Sequence, residues 1–513
     1  MDLDIIGKIK ETAMHFPERT ASTNGRDRLS YKELWEYSER LAVCLKNELG
    51  EEKQPLAVYG HKSPWMLVCF LACVKAGHGY CPIDISVPDA RVEMILHSLP
   101  EGPVLAAEQN CSVPGDKEVW SFQQIQEICQ MEKMDCCEPD TYVKGDGIWY
   151  MIFTSGSTGT PKGVQITADC LHHFTDWAVN LGGAASAEAM RESEEQNLIF
   201  LNQAPFSFDL SVMDLYTSLA CGGTLYCLEK NVQADYRLLM EHLANAKANV
   251  WVSTPSFAEM CLCEQSFCAD RMEGMRLFLF CGETLGNRTV AKLQQRFPEA
   301  VIINTYGPTE STVAVTGVIV TPEINEKRNP LPVGKAKPGT QILIFDENGQ
   351  ELPEGKKGEV IIAGNTVSPG YYGQPALTEK AFFEIDGMRA YRTGDRGYLE
   401  NGQLFYCGRI DLQIKYHGYR IELEDIENNI RKLPYIEHVV VLPRERGGKV
   451  SSLMAYVVEK SIVEDEKTEN DRLKQELLSF LPEYMVPKKF VFLDTMPMTA
   501  NGKADRKKLG GGL

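Results

Sequence analysis

From about residue 31 to residue 320, stretches of helical periodicity alternate with short runs of consecutive apolar residues, the clearest at 147–153, 249–253, 277–281 and 301–304. A run too short for a helix and apolar at successive positions predicts a strand buried on both faces, as in a parallel sheet covered by helices. Three of these runs lead into loops rich in small hydroxyl residues, glycine and proline, at 154–163, 253–256 and 304–312. Open parallel sheets bind ligands beyond the carboxyl ends of their strands, so a site built from these loops is expected.

Near Leu331 the pattern changes. Pro332, Pro338 and Pro353, the pairs Asn348-Gly349 and Asn401-Gly402, and the alternating segment 358–363 predict hairpins and a β-rich subdomain over about 330–409. After residue 409 an amphipathic helix starts near Glu422, with Leu423, Ile426, Ile430 and Leu433 on one face. Strand-like segments follow at 438–442 and 452–458, then a helix carrying Leu473, Leu477, Leu478 and Leu481. The expected fold class is α/β: a large N-terminal domain over 1–409, made of α/β sheets plus the β-rich subdomain, and a small α+β domain over 410–513.

The 513 residues, 43% hydrophobic and 24% charged, suit a globular chain of several domains. A formal net charge of -18 repels phosphate backbones and anionic lipid, so no nucleic-acid partner is expected and a nucleotide would need a local pocket of donors. The longest apolar stretch, 65–74, is about half the ~20 residues that a membrane-spanning helix requires. No membrane insertion is expected. The first residues lack the pattern of a secretory signal, which points to the cytoplasm, where the 16 cysteines would remain thiols. None falls in a CxxC pair, so a structural zinc site is not expected.

The loop Thr154-Ser155-Gly156-Ser157-Thr158-Gly159-Thr160-Pro161-Lys162-Gly163 carries the most chemistry. Its glycines free the backbone to turn N–H groups inward, its hydroxyls add donors, and Lys162 adds a cation, a combination suited to polyphosphate. It is not a Walker A loop, because Lys162 follows Pro161 and precedes Gly163. Other candidates are ambiguous on residue type alone. Asp395 could accept hydrogen bonds from two ribose hydroxyls or cap a turn; Glu310 could hold Mg2+ or lie in solvent. Tyr306 could stack on a base or pack in a turn, and Arg409 could meet a phosphate or a surface acid. Lys503, in a basic tail, reads as solvated, and Cys281 as core filler.

The ten-residue loop resembles the phosphate loop of the adenylate-forming enzymes, the superfamily of acyl-CoA ligases, luciferases and nonribosomal peptide adenylation domains. Asn304-Thr305-Tyr306-Gly307-Pro308-Thr309-Glu310, Tyr391-Arg392-Thr393-Gly394-Asp395, Gly408-Arg409-Ile410-Asp411 with 415–422, and Asn501-Gly502-Lys503 resemble later motifs of that superfamily, in the same order. The likeness runs from about residue 29 to 509. It implies an adenylate-forming fold whose C-terminal domain is a mobile lid hinged at Asp411. It further implies an ATP site formed by Thr154, Ser155, Gly156, Ser157, Thr158, Lys162, Asn304, Thr305, Tyr306, Gly307, Pro308, Thr309, Asp395, Tyr406, Cys407, Gly408, Arg409 and Lys503. Mg2+ would sit on Glu310, and Lys503 would reach the reacting phosphate as the second catalytic residue.

Superfamily members that activate amino acids carry an aspartate in the segment matching Ala204-Pro205-Phe206-Ser207-Phe208-Asp209-Leu210-Ser211, where it meets the substrate ammonium. The stretches 200–216, 249–257, 280–283, 306–316 and 415–422 are similar to the members that form D-alanyl-AMP from D-alanine. Those members pass the acyl group to the 4'-phosphopantetheine thiol of a separate D-alanyl carrier protein, for teichoic acid D-alanylation. On that resemblance Asp209, Met213, Cys281, Val313 and Lys503 line the acyl site. Met213 and Cys281 exclude larger acids, and the backbone of Val313 approaches the ammonium. Another small amino acid is the alternative substrate. No serine-bearing carrier module follows residue 509, so a separate carrier is expected.

Overall fold

The computed structural model describes the chain except residues 1–3, 51–52, 132–135, 157–159, 195–196, 417, 447–448, 461–464, 500–503 and 511–513. It divides into two units, one of Met1–Ile85, Leu99–Ile152 and Gly163–Ile410, the other of Ser86–Ser98, Phe153–Lys162 and Asp411–Leu513.

The apolar runs form strands, with ends within two residues of expectation. Val250–Ser253, Leu277–Phe280 and Val301–Tyr306 lie side by side and parallel in a nine-stranded sheet, flanked by Ile199–Asn202 and Thr224–Cys227. Their side chains are buried on both faces, as the unbroken apolar pattern requires. A six-stranded sheet holds Leu56–Gly60, Tyr80–Asp84 and Ile148–Thr154. The apolar stretch near 65–74 becomes the helix Trp65–Lys75, buried from Met66 onward, and no helix of the described residues is long and apolar enough to cross a membrane.

The β-rich segment is a five-stranded antiparallel sheet of Thr340–Phe345, Gly358–Gly364, Phe382–Ile385, Met388–Glu400 and Gln403–Arg409. Asn401 and Gly402 both have positive φ, 52° and 70°, between the paired residues Glu400 and Gln403, as a two-residue hairpin turn demands. At Asn348-Gly349 only the glycine does, so that turn is of another kind.

The second unit has its own core, in which Leu423, Ile426, Ile430 and Leu433 meet Leu473, Leu477 and Leu481. Its strands Ile436–Arg446 and Lys449–Glu459 pair antiparallel and run longer than their apolar centres suggested. Leu478 departs from expectation: the helix Glu466–Leu477 ends just before it, and its side chain is 46% exposed. All 16 cysteines are free thiols and ten are buried, in keeping with small apolar core residues.

Candidate active site

In the first unit, the carboxyl ends of two parallel strands carry two of the predicted loops, 253–256 and 304–312. The strand Val301–Tyr306 is fixed by its own polar side chains. Asn304 Nδ2 donates to the Pro332 carbonyl at 2.8 Å, and Thr305 Oγ1 to the Phe280 carbonyl at 2.8 Å. These two side chains brace the strand that delivers Tyr306 and the turn after it.

Tyr306 is buried, and its hydroxyl donates to Asp395 Oδ2 at 2.6 Å. The other oxygen, Oδ1, accepts from Arg409 NH1 at 2.9 Å. Asp395 and Arg409 face each other as paired residues of adjacent strands, beside a bulge that re-aims the chain. Burial, reinforced by the Asp395 carboxylate, pushes the Tyr306 phenol well above its ordinary pKa, so it stays a donor. Each Asp395 oxygen keeps a further lone pair for a ligand hydroxyl. Arg409 is thus an acid's partner inside the protein rather than on its surface, and the Tyr406 ring tilts toward Tyr306 with centroids 6.0 Å apart. Cys407 follows Tyr406 on the strand Gln403–Arg409 and is partly exposed, while Gly408 takes φ 100°.

The turn after Tyr306 requires Gly307: a Cβ there would lie 2.5 Å from Ala314 Cα and 2.9 Å from the Val313 oxygen. Two chain segments can approach this closely only without a side chain. After Pro308, Thr309 turns its hydroxyl to Asp209 Oδ2 at 2.7 Å, joining residues a hundred positions apart. Asp209 is 8% exposed and stands at the start of the helix Leu210–Ala220 without capping it by its side chain. Glu310 is fully buried, and its Oε1 accepts from Tyr371 Oη at 2.8 Å.

Thr312 and Val313 both adopt positive φ, 63° and 67°, which is costly for β-branched residues. The Ala314 amide closes a three-residue turn onto the Thr312 carbonyl at 2.8 Å, and Thr312 Oγ1 donates to Thr366 O at 2.8 Å. The Val313 carbonyl accepts from Cys281 Sγ at 3.6 Å. Met213, Cys281 and Val313 belong to one buried cluster with Phe206 and Leu210.

In the second unit, Ser155 Oγ donates to the Arg420 carbonyl at 2.9 Å and accepts from the Glu422 amide at 3.2 Å. Lys162 Nζ lies 3.5 Å from Glu422 Oε1. Thr154 Oγ1 is buried with no hydrogen-bond partner. A Cβ at Gly156 would collide with the Thr160 carbonyl oxygen. Asp411 accepts from the Gln413 amide at 3.1 Å. Ser157, Thr158 and Lys503 lie outside the described residues.

Residues 9–372 match the family model described as AMP-binding enzyme, and residues 425–503 match the AMP-binding enzyme C-terminal domain. The chain belongs to the AMP-binding enzyme family. It is 47% identical, over 99% of both chains, to a protein of Bacillus thuringiensis (strain Al Hakam) named D-alanine--D-alanyl carrier protein ligase. Among solved structures it resembles holo-PA1221, described as a nonribosomal peptide synthetase protein with adenylation and PCP domains. The TM-score is 0.82 at 27% identity, covering 99% of this chain and 84% of that one. The o-succinylbenzoate CoA synthetase of Bacillus subtilis shares the fold, with a TM-score of 0.82 at 21% identity over 98% of both chains. Members of the AMP-binding family use ATP, and this AMP-binding enzyme has the adenylate-forming fold.

Three features of this AMP-binding enzyme escape sequence reading. Tyr371, which holds Glu310, stands 61 residues away in a segment with no motif signal. The contact of Thr309 with Asp209 joins residues assigned separately to nucleotide and to acyl group. The reversed backbone at Thr312-Val313 runs against the propensity of both residues, so composition gives no hint of it.

Proposed function

We propose that the protein activates D-alanine with ATP as D-alanyl-AMP and transfers the acyl group to the phosphopantetheine thiol of a separate D-alanyl carrier protein. The single observation that carries this reading is the buried Asp209 carboxylate, held by Thr309 and standing about one helical turn before Met213, which shares a large buried core with Cys281 and Val313. A buried carboxylate is a strong acceptor for a cation, and the ammonium of a small amino acid is one it can meet. The identity shared with a named D-alanine ligase over the whole chain supports the same substrate.

In the first step the D-alanine carboxylate attacks the α-phosphorus of ATP, the bond to the bridging oxygen breaks, and pyrophosphate leaves. Asp209 anchors the ammonium, Asp395 takes the ribose hydroxyls, and Tyr306 and Arg409 hold that carboxylate in place. In the second step the carrier thiolate attacks the acyl carbonyl and AMP leaves. Lys503 is assigned to charge building on the α-phosphate, and Asp411 to a hinge between the two steps.

Among the described residues no group of three or more His, Cys, Asp or Glu side chains gathers as a metal cage. The buried carboxylate of Glu310, fixed by Tyr371, instead fits Mg2+ held by one acid together with substrate phosphates. There Mg2+ would neutralise phosphate charge. The reading places the protein in the cytoplasm, in D-alanylation of teichoic acid.

Pyrophosphate exchange into ATP, measured with a panel of D- and L-amino acids, tests the assignment. D-Alanine is expected to give the strongest signal. Preference for glycine, L-alanine or L-serine would replace the substrate, and no amino-acid-dependent exchange would remove the reaction.

A further inference from the structure

The helix Leu210–Ala220 carries one buried carboxylate, Asp214, and a second, Asp209, stands just before it; the proposed reaction uses only Asp209. Asp214 is fully buried. Its Oδ1 accepts from Asn202 Nδ2 at 2.9 Å, and its Oδ2 has no hydrogen-bond partner. The amide oxygen of Asn202 in turn accepts from Lys62 Nζ. Lys62, 1% exposed, also donates to the Ala204 carbonyl and sits 4.8 Å from the centroid of the Phe206 ring. Burial pushes the Asp214 carboxyl up to about 8 and pulls the Lys62 ammonium down. A cation and an acid in a core could be replaced by apolar residues without loss of stability, so their retention calls for a geometric reason.

That reason is what the network touches. Asn202 ends the strand Ile199–Asn202, and the chain then crosses to Asp209 through a short loop. The Gln203 side chain pairs with Gln233, which donates back to the Gln203 carbonyl at 3.1 Å. Ala204 is held at its carbonyl and Phe206 at its ring by Lys62, and Ser211 Oγ donates to the Phe208 carbonyl at 2.8 Å. Through Asp214 the same network grips the helix whose first residue follows Asp209. Both ends of the segment bearing the ammonium acceptor are therefore tied to Asn202.

We propose that Asn202 and Asp214, braced by Lys62, are positioning residues that fix the loop from Gln203 to Asp209 and so set where the Asp209 carboxylate meets the substrate amine. The inference rests on the reading of Asp209 as the ammonium partner. The hydrogen bond from Asn202 to Asp214 does the positioning, and an amide oxygen at 214 would accept it equally.

The test uses full-length Asn202→Ala, Asp214→Leu and Asp214→Asn, with D-alanine and ATP titrated separately in pyrophosphate exchange and a thermal melt of each variant. Asn202→Ala and Asp214→Leu should raise KM for D-alanine by about tenfold or more while KM for ATP stays within about twofold. Asp214→Asn should remain within about threefold of the parent for both substrates. If Asn202→Ala does not fold, Asp214→Leu carries the comparison. An unchanged KM for D-alanine in the first two variants, or equal rises for both substrates, overturns the positioning role. So does an Asp214→Asn variant as impaired as Asp214→Leu, because charge would then be the requirement. A parent protein with no D-alanine-dependent exchange defeats the functional reading itself, whereas an active parent with indifferent variants defeats only this inference.

Discussion

Replacing Asp209 by Asn removes one negative charge and little else. The amide oxygen can still accept from Thr309 Oγ1, now at 2.7 Å from the carboxylate, and helix capping is not at stake because the Asp209 side chain makes no capping bond. At 8% exposure the carboxylate is largely withdrawn from water, so its loss is the loss of one partner of a buried ion pair when substrate is bound. Breaking such a pair costs roughly 3–5 kcal/mol. At about 1.4 kcal/mol per factor of ten, kcat/KM for D-alanine should fall roughly 10²- to 4 × 10³-fold while KM for ATP barely moves. The assay is D-alanine-dependent pyrophosphate exchange at saturating ATP, with propionate as a competitor that has the same carbon skeleton but no ammonium. The parent should reject propionate, because binding it strands the Asp209 charge, and Asp209→Asn should narrow that preference. A variant whose KM for D-alanine stays within about threefold, with propionate discrimination intact, would refute the reasoning, since so small a change is under 1 kcal/mol.

Local signals carried much of the fold. The strands at 250–253 and 277–280 were legible because burial on both faces leaves an unbroken apolar run, and the Asn401-Gly402 hairpin because few residues tolerate positive φ at both turn positions. The same local logic failed at Leu478, where the leucine spacing continues past the end of the helix. In the site, the motif segments were visible, but the bonds that make them work were not. Thr309 meets Asp209 across 100 residues, Tyr371 meets Glu310 across 61, and Lys62 meets Asn202 across 140. A lone lysine after a strand, or a lone aspartate within an apolar helix, carries no mark of a distant partner. The strained backbone at Thr312-Val313 was hidden for the opposite reason: its residues favour the conformation they do not adopt.

Two further predictions concern the nucleotide end and the core. Tyr306→Phe deletes the donor 2.6 Å from Asp395 Oδ2; a hydrogen bond to a charged group is worth roughly 1.5–3 kcal/mol, so KM for ATP should rise roughly 10- to 100-fold with KM for D-alanine unchanged. An unaltered ATP titration would mean that Arg409 alone orients Asp395. The second prediction is a pH dependence of stability from Lys75, whose fully buried ammonium is 2.8 Å from Glu39 Oε1, 2.8 Å from Ser38 Oγ and 3.4 Å above the Trp35 ring centroid. Burial outweighs the Glu39 attraction and pulls its pKa down from 10.5 to about 8. Between about pH 8 and 10.5 the unfolded chain therefore keeps a proton that the folded chain has released, and stability rises with pH across that window. Below pH 8 both states hold the proton, and the desolvation cost, on the order of 3 kcal/mol, is present in full. Urea unfolding at pH 7, 8, 9 and 10 should show this rise in the parent relative to Lys75→Met paired with Glu39→Leu, a double substitution that removes both buried charges. Lys75→Met alone strands Glu39 and should lose roughly 3–5 kcal/mol at pH 7, most of which the double variant recovers. Parallel curves for parent and double variant from pH 8 to 10 would show that the ammonium is as well solvated by its partners in the fold as by water.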